Sequence, residues 1–217
     1  SELKRRTDEL IKKREEKKRK EEEEKRKREE EEKKRVEEEK RRVEEELRER
    51  KEKGIVLNTE ELNALPVNAK KLCVKKCDDY QNEVLDLSRF SALEELTIGD
   101  GCFNYVSKVS VVGLKKLKSV AIGAKSFQNE SNDSELVVSD CPELVSLSVG
   151  NESFKGFKEM KLSEVKALKT ITIGDECLKD CDLVLRDLKS VESVVIGVNS
   201  FEKSRHSVVE SANYSKK

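Results

Sequence analysis

Two cysteine pairs at C-x3-C spacing, Cys73/Cys77 and Cys177/Cys181, are the residues of this 217-residue chain whose types and spacing come nearest to chemistry. Thiolates bind zinc, bridge as disulfides or attack as nucleophiles. With Cys102 and Cys141 the chain holds six cysteines, but only one histidine, His206, a poor set for tetrahedral zinc, so no metal is expected. Reduced thiols in an intracellular protein are the simpler reading. His206 lies in a polar stretch without the Cys or Asp motif that would make it a base. The "GDG" at 99–101 lacks the long glycine loop and Lys-Ser/Thr of a phosphate cradle. No catalytic, cofactor-binding or metal-binding residue is assigned, no cofactor or small-molecule substrate is implied, and no enzyme is expected.

The elements that position these residues are internal repeats. "LEELTIGDGCF" (93–103), "LKSVAIGAKSF" (117–127), "LVSLSVGNESF" (144–154), "LKTITIGDECL" (168–178) and "VESVVIGVNSF" (191–201) restate one text. Aligned at Leu85, Val109, Leu136, Met160 and Leu183, the residues 2, 5, 8, 11, 13 and 18 further on are apolar every time, counting Cys141. Each unit contains two short alternating pieces, such as Val109-Ser-Val111 and Val120-Ala-Ile122, the mark of strands with one face buried. Within a unit the two strands are always eleven residues apart, as from Leu87 to Ile98; between units the spacing runs thirteen, sixteen, thirteen and twelve. Variable length belongs to surface loops, so insertions fall on one edge, the longest at "QNESNDSE" (128–135).

One unit cannot bury its own leucines, but stacked units bury each other's. The recurring Phe103, Phe127, Phe154, Leu178 and Phe201 predict a spine at one corner, and Gly99, Gly123, Gly150, Gly174 and Gly197 mark turns where a Cβ would crowd the chain. "AKKLCVKKC" (69–77) reads as half a degenerate unit, with Leu72 and Val74 in the Leu96 and Ile98 places. Residues 54–83 therefore read as an N-terminal cap, with a short helix after Thr59 as N-cap. The five repeats occupy 84–206; 207–217 is a tail or truncated repeat, with Val208 and Val209 placed to begin another first strand.

"LKSVAIGAKSF" and its sisters resemble leucine-rich repeats in their L-x-x-L-x-[IV] core, over about residues 69 to 206. More narrowly they resemble the BspA-like repeats of protists and bacteria, whose units carry a comparable I-G-x-x-[AS]-F turn. The usual asparagine ladder is missing and no helix pattern fills the convex side, which favours two strands per turn over a horseshoe. The fold class expected is a β-rich leucine-rich-repeat solenoid with two short parallel strands per turn, preceded by a long isolated charged α-helix. The resemblance implies protein–protein recognition rather than catalysis.

That helix is read from residues 1–53. Lys12 to Arg35 is an unbroken run of Lys, Arg and Glu, with acidic residues four before basic ones, as in Glu16/Lys20, Glu23/Lys27 and Glu30/Lys34. Such i,i+4 pairs contribute about 0.2–0.5 kcal/mol each to a helix. Gly54 stands where a C′ glycine would end it. The segment would span about 80 Å, and over about residues 12 to 53 it resembles the Glu-rich, Lys/Arg-rich single α-helices that serve as stiff spacers. A coiled coil needs apolar a and d positions; Leu3 and Leu10 are seven apart, but after Ile11 nothing apolar follows until Val36, Val43 and Leu47. Pairing of either end with a partner is the competing reading.

Of the 46 basic and 46 acidic residues, 24 and 21 lie in 1–53, leaving 22 and 25 for the rest. Neither part is a one-sign patch, which argues against nucleic acid or an anionic membrane as partner. No window approaches the roughly 18 apolar residues of a membrane span. Outward positions on the second strands, Thr97, Ala121, Ser148, Thr172 and Val195, are uncharged in a chain that is 42% charged, and form the candidate partner-binding stripe. The function expected is a non-enzymatic scaffold that binds a protein, cytoplasmic and within a larger assembly such as the cytoskeleton. A cell-surface adhesin, or a nucleic-acid or ribosome-associated factor acting through the charged helix, are the alternatives.

Overall fold

The computed structural model of the chain describes residues 2–210, which divide into a unit ending at Glu49 and a unit beginning at Arg50. The first is almost wholly one α-helix, α1 (Glu2–Glu52), with no buried residue. Several of its ion pairs are the i,i+4 ones read from the sequence, with Glu16–Lys20 at 3.3 Å, Glu23–Lys27 at 2.7 Å, Glu24–Arg28 at 2.6 Å and Glu30–Lys34 at 2.9 Å, while Arg35 and Arg42 reach Glu32 and Glu39 at i,i+3. Hydrogen bonds from Lys27 and Lys34 hold the Glu23 and Glu30 carboxyls below the ordinary range. The helix stops at Gly54, whose φ of 65° lets its N–H fold back to the Lys51 carbonyl at 3.1 Å. A Cβ there would stand 1.9 Å from the Lys71 carbonyl oxygen, so close backbone approach also demands glycine.

The second unit is a parallel β-solenoid of about six turns. One sheet runs β1 (Ile55–Val56), β2 (Lys71–Val74), β4 (Glu95–Ile98), β6 (Ser119–Ile122), β8 (Ser146–Val149), β10 (Thr170–Ile173) and β12 (Ser193–Ile196). The other runs β3 (Val84–Asp86), β5 (Lys108–Val112), β7 (Glu135–Ser139), β9 (Glu159–Ser163), β11 (Asp182–Arg186) and β13 (Val208–Glu210). Repeat positions stand in register: Leu72 pairs with Leu96 and Val74 with Ile98, as the degenerate unit required. Val208 and Val209 do form a first strand, in register with Val184 and Leu185.

Alternation fixes the faces. In β8, Leu147 and Val149 are buried while Ser146 and Ser148 face out. The inward residues make one core with Leu93, Leu117, Leu144 and Leu168 at the turns. Among the described residues no strand pairs with the far side of β12, and Val194 and Ile196 are 51% and 47% exposed, where Ile171 and Ile173 are 4% and 3%.

The corner spine forms: Phe103 stacks on Phe127 at 5.5 Å and Phe127 on Phe154 at 4.6 Å between ring centroids. Phe157, outside the repeat pattern, closes it edge-on at 4.8 Å from Phe154. Each spine residue takes a left-handed backbone, with φ of 59°, 58°, 54°, 51° and 56° at Phe103, Phe127, Phe154, Leu178 and Phe201. That conformation costs roughly 1–2 kcal/mol per residue. It is held because the N–H of Phe127 donates to Cys102 O and that of Phe154 to Ser126 O of the preceding coil, both at 3.0 Å, while the ring is buried. The repeat glycines act by crowding instead: a Cβ on Gly150 would lie 2.6 Å from the Ala124 nitrogen and the Gly123 carbonyl carbon.

In the cap, α2 (Thr59–Ala64) begins one residue earlier than the sequence predicts. Asn58 is the N-cap, its side chain accepting from Glu61 N at 2.8 Å. Thr59 is drawn off by Asp79, which accepts both its N–H and its hydroxyl at 3.0 Å.

Candidate functional site: the outer face of the seven-stranded sheet

The strand register turns the five stripe residues into a column. Thr97 is level with Ala121, Ala121 with Ser148, Ser148 with Thr172 and Thr172 with Val195. Cys73 is level with Thr97 and Ile55 with Cys73, so the column extends by two uncharged residues that the repeat alignment did not include. Placing Val74 level with Ile98, as the sequence allowed, was already enough to find Cys73. Thr97, Thr172 and Val195 are exposed; Ala121, Ser148, Cys73 and Ile55 are half-buried.

Charge lies at the rim of this face. Lys71 pairs with Glu95 at 3.0 Å, Lys118 with Glu94 at 2.7 Å and Lys169 with Glu192 at 3.0 Å. Hydrogen bonding from Lys118 lowers the Glu94 carboxyl's pKa, and the Lys118 ammonium is raised in turn by Glu94. On the other side the column is bounded by Gly99, Gly123, Gly150 and Gly174 and by carboxamide and carboxylate groups that cap the next coil. Asp100 Oδ1 accepts from Ala124 N at 2.7 Å, Asn151 Oδ1 from Asp175 N at 3.0 Å, and Asp175 Oδ1 from Val198 N at 2.7 Å. A partial Asp/Asn ladder is thus present at this corner. The face thus has a neutral centre inside a charged rim, and depletion of charge at the centre is one feature of protein interfaces. The opposite sheet differs: its outward residues Asp86, Ser110, Val137, Lys161 and Val184 are in register, but Lys161 sits there bridged to Glu135 at 3.1 Å and Glu159 at 2.9 Å.

The residues nearest to chemistry are structural. Cys102, Ser126, Ser153, Cys177 and Ser200, the tenth residue of each of the five repeated segments, line one corner in successive coils and form a hydrogen-bonded ladder. Ser153 Oγ accepts from Ser126 N at 3.1 Å and donates to Gly123 O at 2.7 Å. Ser126 Oγ accepts from Cys102 N at 3.2 Å and donates to Gly99 O at 2.9 Å. Cys177 Sγ donates to Gly150 O at 3.1 Å. Replacing the fully buried Ser153 by Ala strands an N–H and a carbonyl, and is expected to cost about 2–3 kcal/mol in calorimetric unfolding. Ser153→Cys, which the ladder already tolerates at Cys177, is expected to recover part of that loss.

All six cysteines are free. The C-x3-C pairs are split by geometry: Cys73 faces outward on β2, whereas Cys77 is buried beside Thr59 and Asp79. Burial pushes the Cys77 thiol up to about 12 and raises Cys102, Cys141, Cys177 and Cys181 as well. Thiolates, not thiols, react with alkylating agents. In the native protein at mildly alkaline pH, iodoacetamide is therefore expected to label Cys73 alone, and the other five only after denaturation, as read by mass spectrometry. Among the described residues no three His, Cys, Asp or Glu side chains group to hold a metal, and no helix is long and apolar enough to cross a membrane. The His206 ring is exposed, its Nδ1 4.0 Å from Asp182 Oδ2. Asp182 itself is lowered by the backbone N–H groups of His206 and Arg205 that it accepts.

No known protein family, curated protein or solved structure matches this chain.

Proposed function

We propose that the chain is a non-enzymatic, intracellular scaffold that binds a protein on the outer face of its seven-stranded sheet, with α1 as a spacer within a larger assembly. The observation that carries this reading is the neutral column from Cys73 to Val195, in register across six strands, inside a rim of ion pairs. A sheet face of small and β-branched residues offers a partner flat contact with little desolvation of charge. Six free thiols, five of them buried, support a reducing compartment. The leucine-rich-repeat likeness belongs to this proposal, as does the cytoskeletal setting.

The test is capture from a native lysate on the immobilised full chain, with nuclease treatment and a salt titration. A discrete protein retained after nuclease and at high salt supports the proposal. Retained material that is nucleic acid, lost steeply as salt rises, would put the binding on the charged helix instead.

A further inference from the structure

The apolar residues of α1 look scattered when counted by heptads, yet the helix gathers them. At about 100° per residue, Leu3, Leu10, Ile11, Val36, Val43 and Leu47 all fall within an arc of about 100°. All six are exposed, Leu3 at 85% and Val36 at 58%. The same straight face carries Arg14, Lys18, Glu21, Lys25, Glu29 and Glu32 between the two apolar ends, with Arg28 at its edge. Leu3 and Leu10 are seven apart, and so are Val36 and Val43. The face is therefore complementary to itself when reversed.

We propose that α1 pairs antiparallel with α1 of a second copy of this chain, in the register that sets Leu3 against the partner's Val43 and Leu10 against the partner's Val36. In that register Ile11 also lies beside the partner's Val36. The six charges nearest the middle of the face then meet their opposites: Arg14 faces the partner's Glu32, Lys18 the partner's Glu29, and Glu21 the partner's Lys25. The two-fold axis repeats each pair. A parallel, in-register pair would also align the apolar ends, but it would set each of these six charges against itself, which is repulsive. Charge thus selects both the direction and the partner. Within one helix, Glu21 and Lys25 hold only long ion pairs, to Lys17 at 3.8 Å and to Glu29 at 3.9 Å, so little is lost when they turn to the second copy. The overlap is about 60 Å long, and the two chains leave it at opposite ends. This inference goes beyond the recognition role of the sheet and does not depend on what the sheet binds.

Sedimentation velocity of the full chain up to about 100 µM tests it, a concentration at which a weakly apolar, charge-matched pair would be populated. A dimer is expected. Reversal of one sign, in Arg14→Glu/Lys18→Glu/Lys25→Glu, is expected to weaken it about a hundredfold, and mixing with Glu21→Lys/Glu29→Lys/Glu32→Lys to restore it. Circular dichroism checks that both variants keep their helix. Direction is read by oxidising a mixture of Leu10→Cys and Val36→Cys chains and mapping the bridged peptides. A bridge between position 10 and position 36 is expected, because two copies of position 10 would lie about 40 Å apart. A monomer at every concentration, a dimer indifferent to charge reversal, or a bridge between two copies of position 10 would each overturn the proposal.

Discussion

Alanine at Phe127 is expected to destabilise the solenoid by about 3–5 kcal/mol, the cost of emptying a fully packed aromatic site. The ring is completely buried and lies between Phe103 and Phe154, nearly parallel to the latter at an interplanar angle of 4°. Phe157 meets it edge-on at 6.3 Å. The neighbours are tied to adjacent coils by their own N–H bonds, so they cannot collapse into the gap. The left-handed backbone at Phe127 remains to be sustained without the ring that offset it. Because a solenoid is stabilised through nearest neighbours, the loss should spread to the coils on either side. Calorimetric unfolding gives the magnitude, and amide exchange in β4, β6 and β8 its reach. Leu178 occupies the equivalent place, so Phe127→Leu should cost clearly less.

The second large effect is on binding. With Ala121→Arg and Ser148→Arg together, capture of the partner protein is expected to fall by about a hundredfold or more, as for a charge forced into the centre of an interface. The two positions are level with each other and face away from the core, so the melting temperature should move by only a few degrees. Ser110→Arg, on the outer face of the other sheet, is the control and should leave capture intact. Equal capture by all three proteins would separate recognition from the neutral column.

Much of this fold was legible because its signals are repetitive. Alternation placed the strands, the constant spacing of eleven from Leu87 to Ile98 and its counterparts placed two per coil, and aligned apolar positions fixed the register, down to Val208 and Val209. Less legible was how the corners close. Nothing in Phe103 or Phe127 announces a positive φ, because the conformation is imposed by bonds to the preceding coil rather than by residue preference. The Thr59 cap failed for a similar reason: Asp79, twenty residues away, competes for its N–H and hydroxyl, and Asn58 takes the role. The Ser/Cys ladder was visible as a shared position, but its purpose needs the coil-to-coil distance. On α1, counting by sevens hid the straight face, since the charged middle breaks the seam without breaking the stripe.

The most direct measurement places a photo-crosslinking side chain at Ser148 in one preparation of the full chain and at Val137 in another. The two positions share a coil, eleven residues apart, on opposite sheets. Irradiation in the same lysate is expected to join a discrete protein to position 148 and not to position 137. A protein joined at 137 alone, or at both equally, would contradict recognition by the seven-stranded sheet.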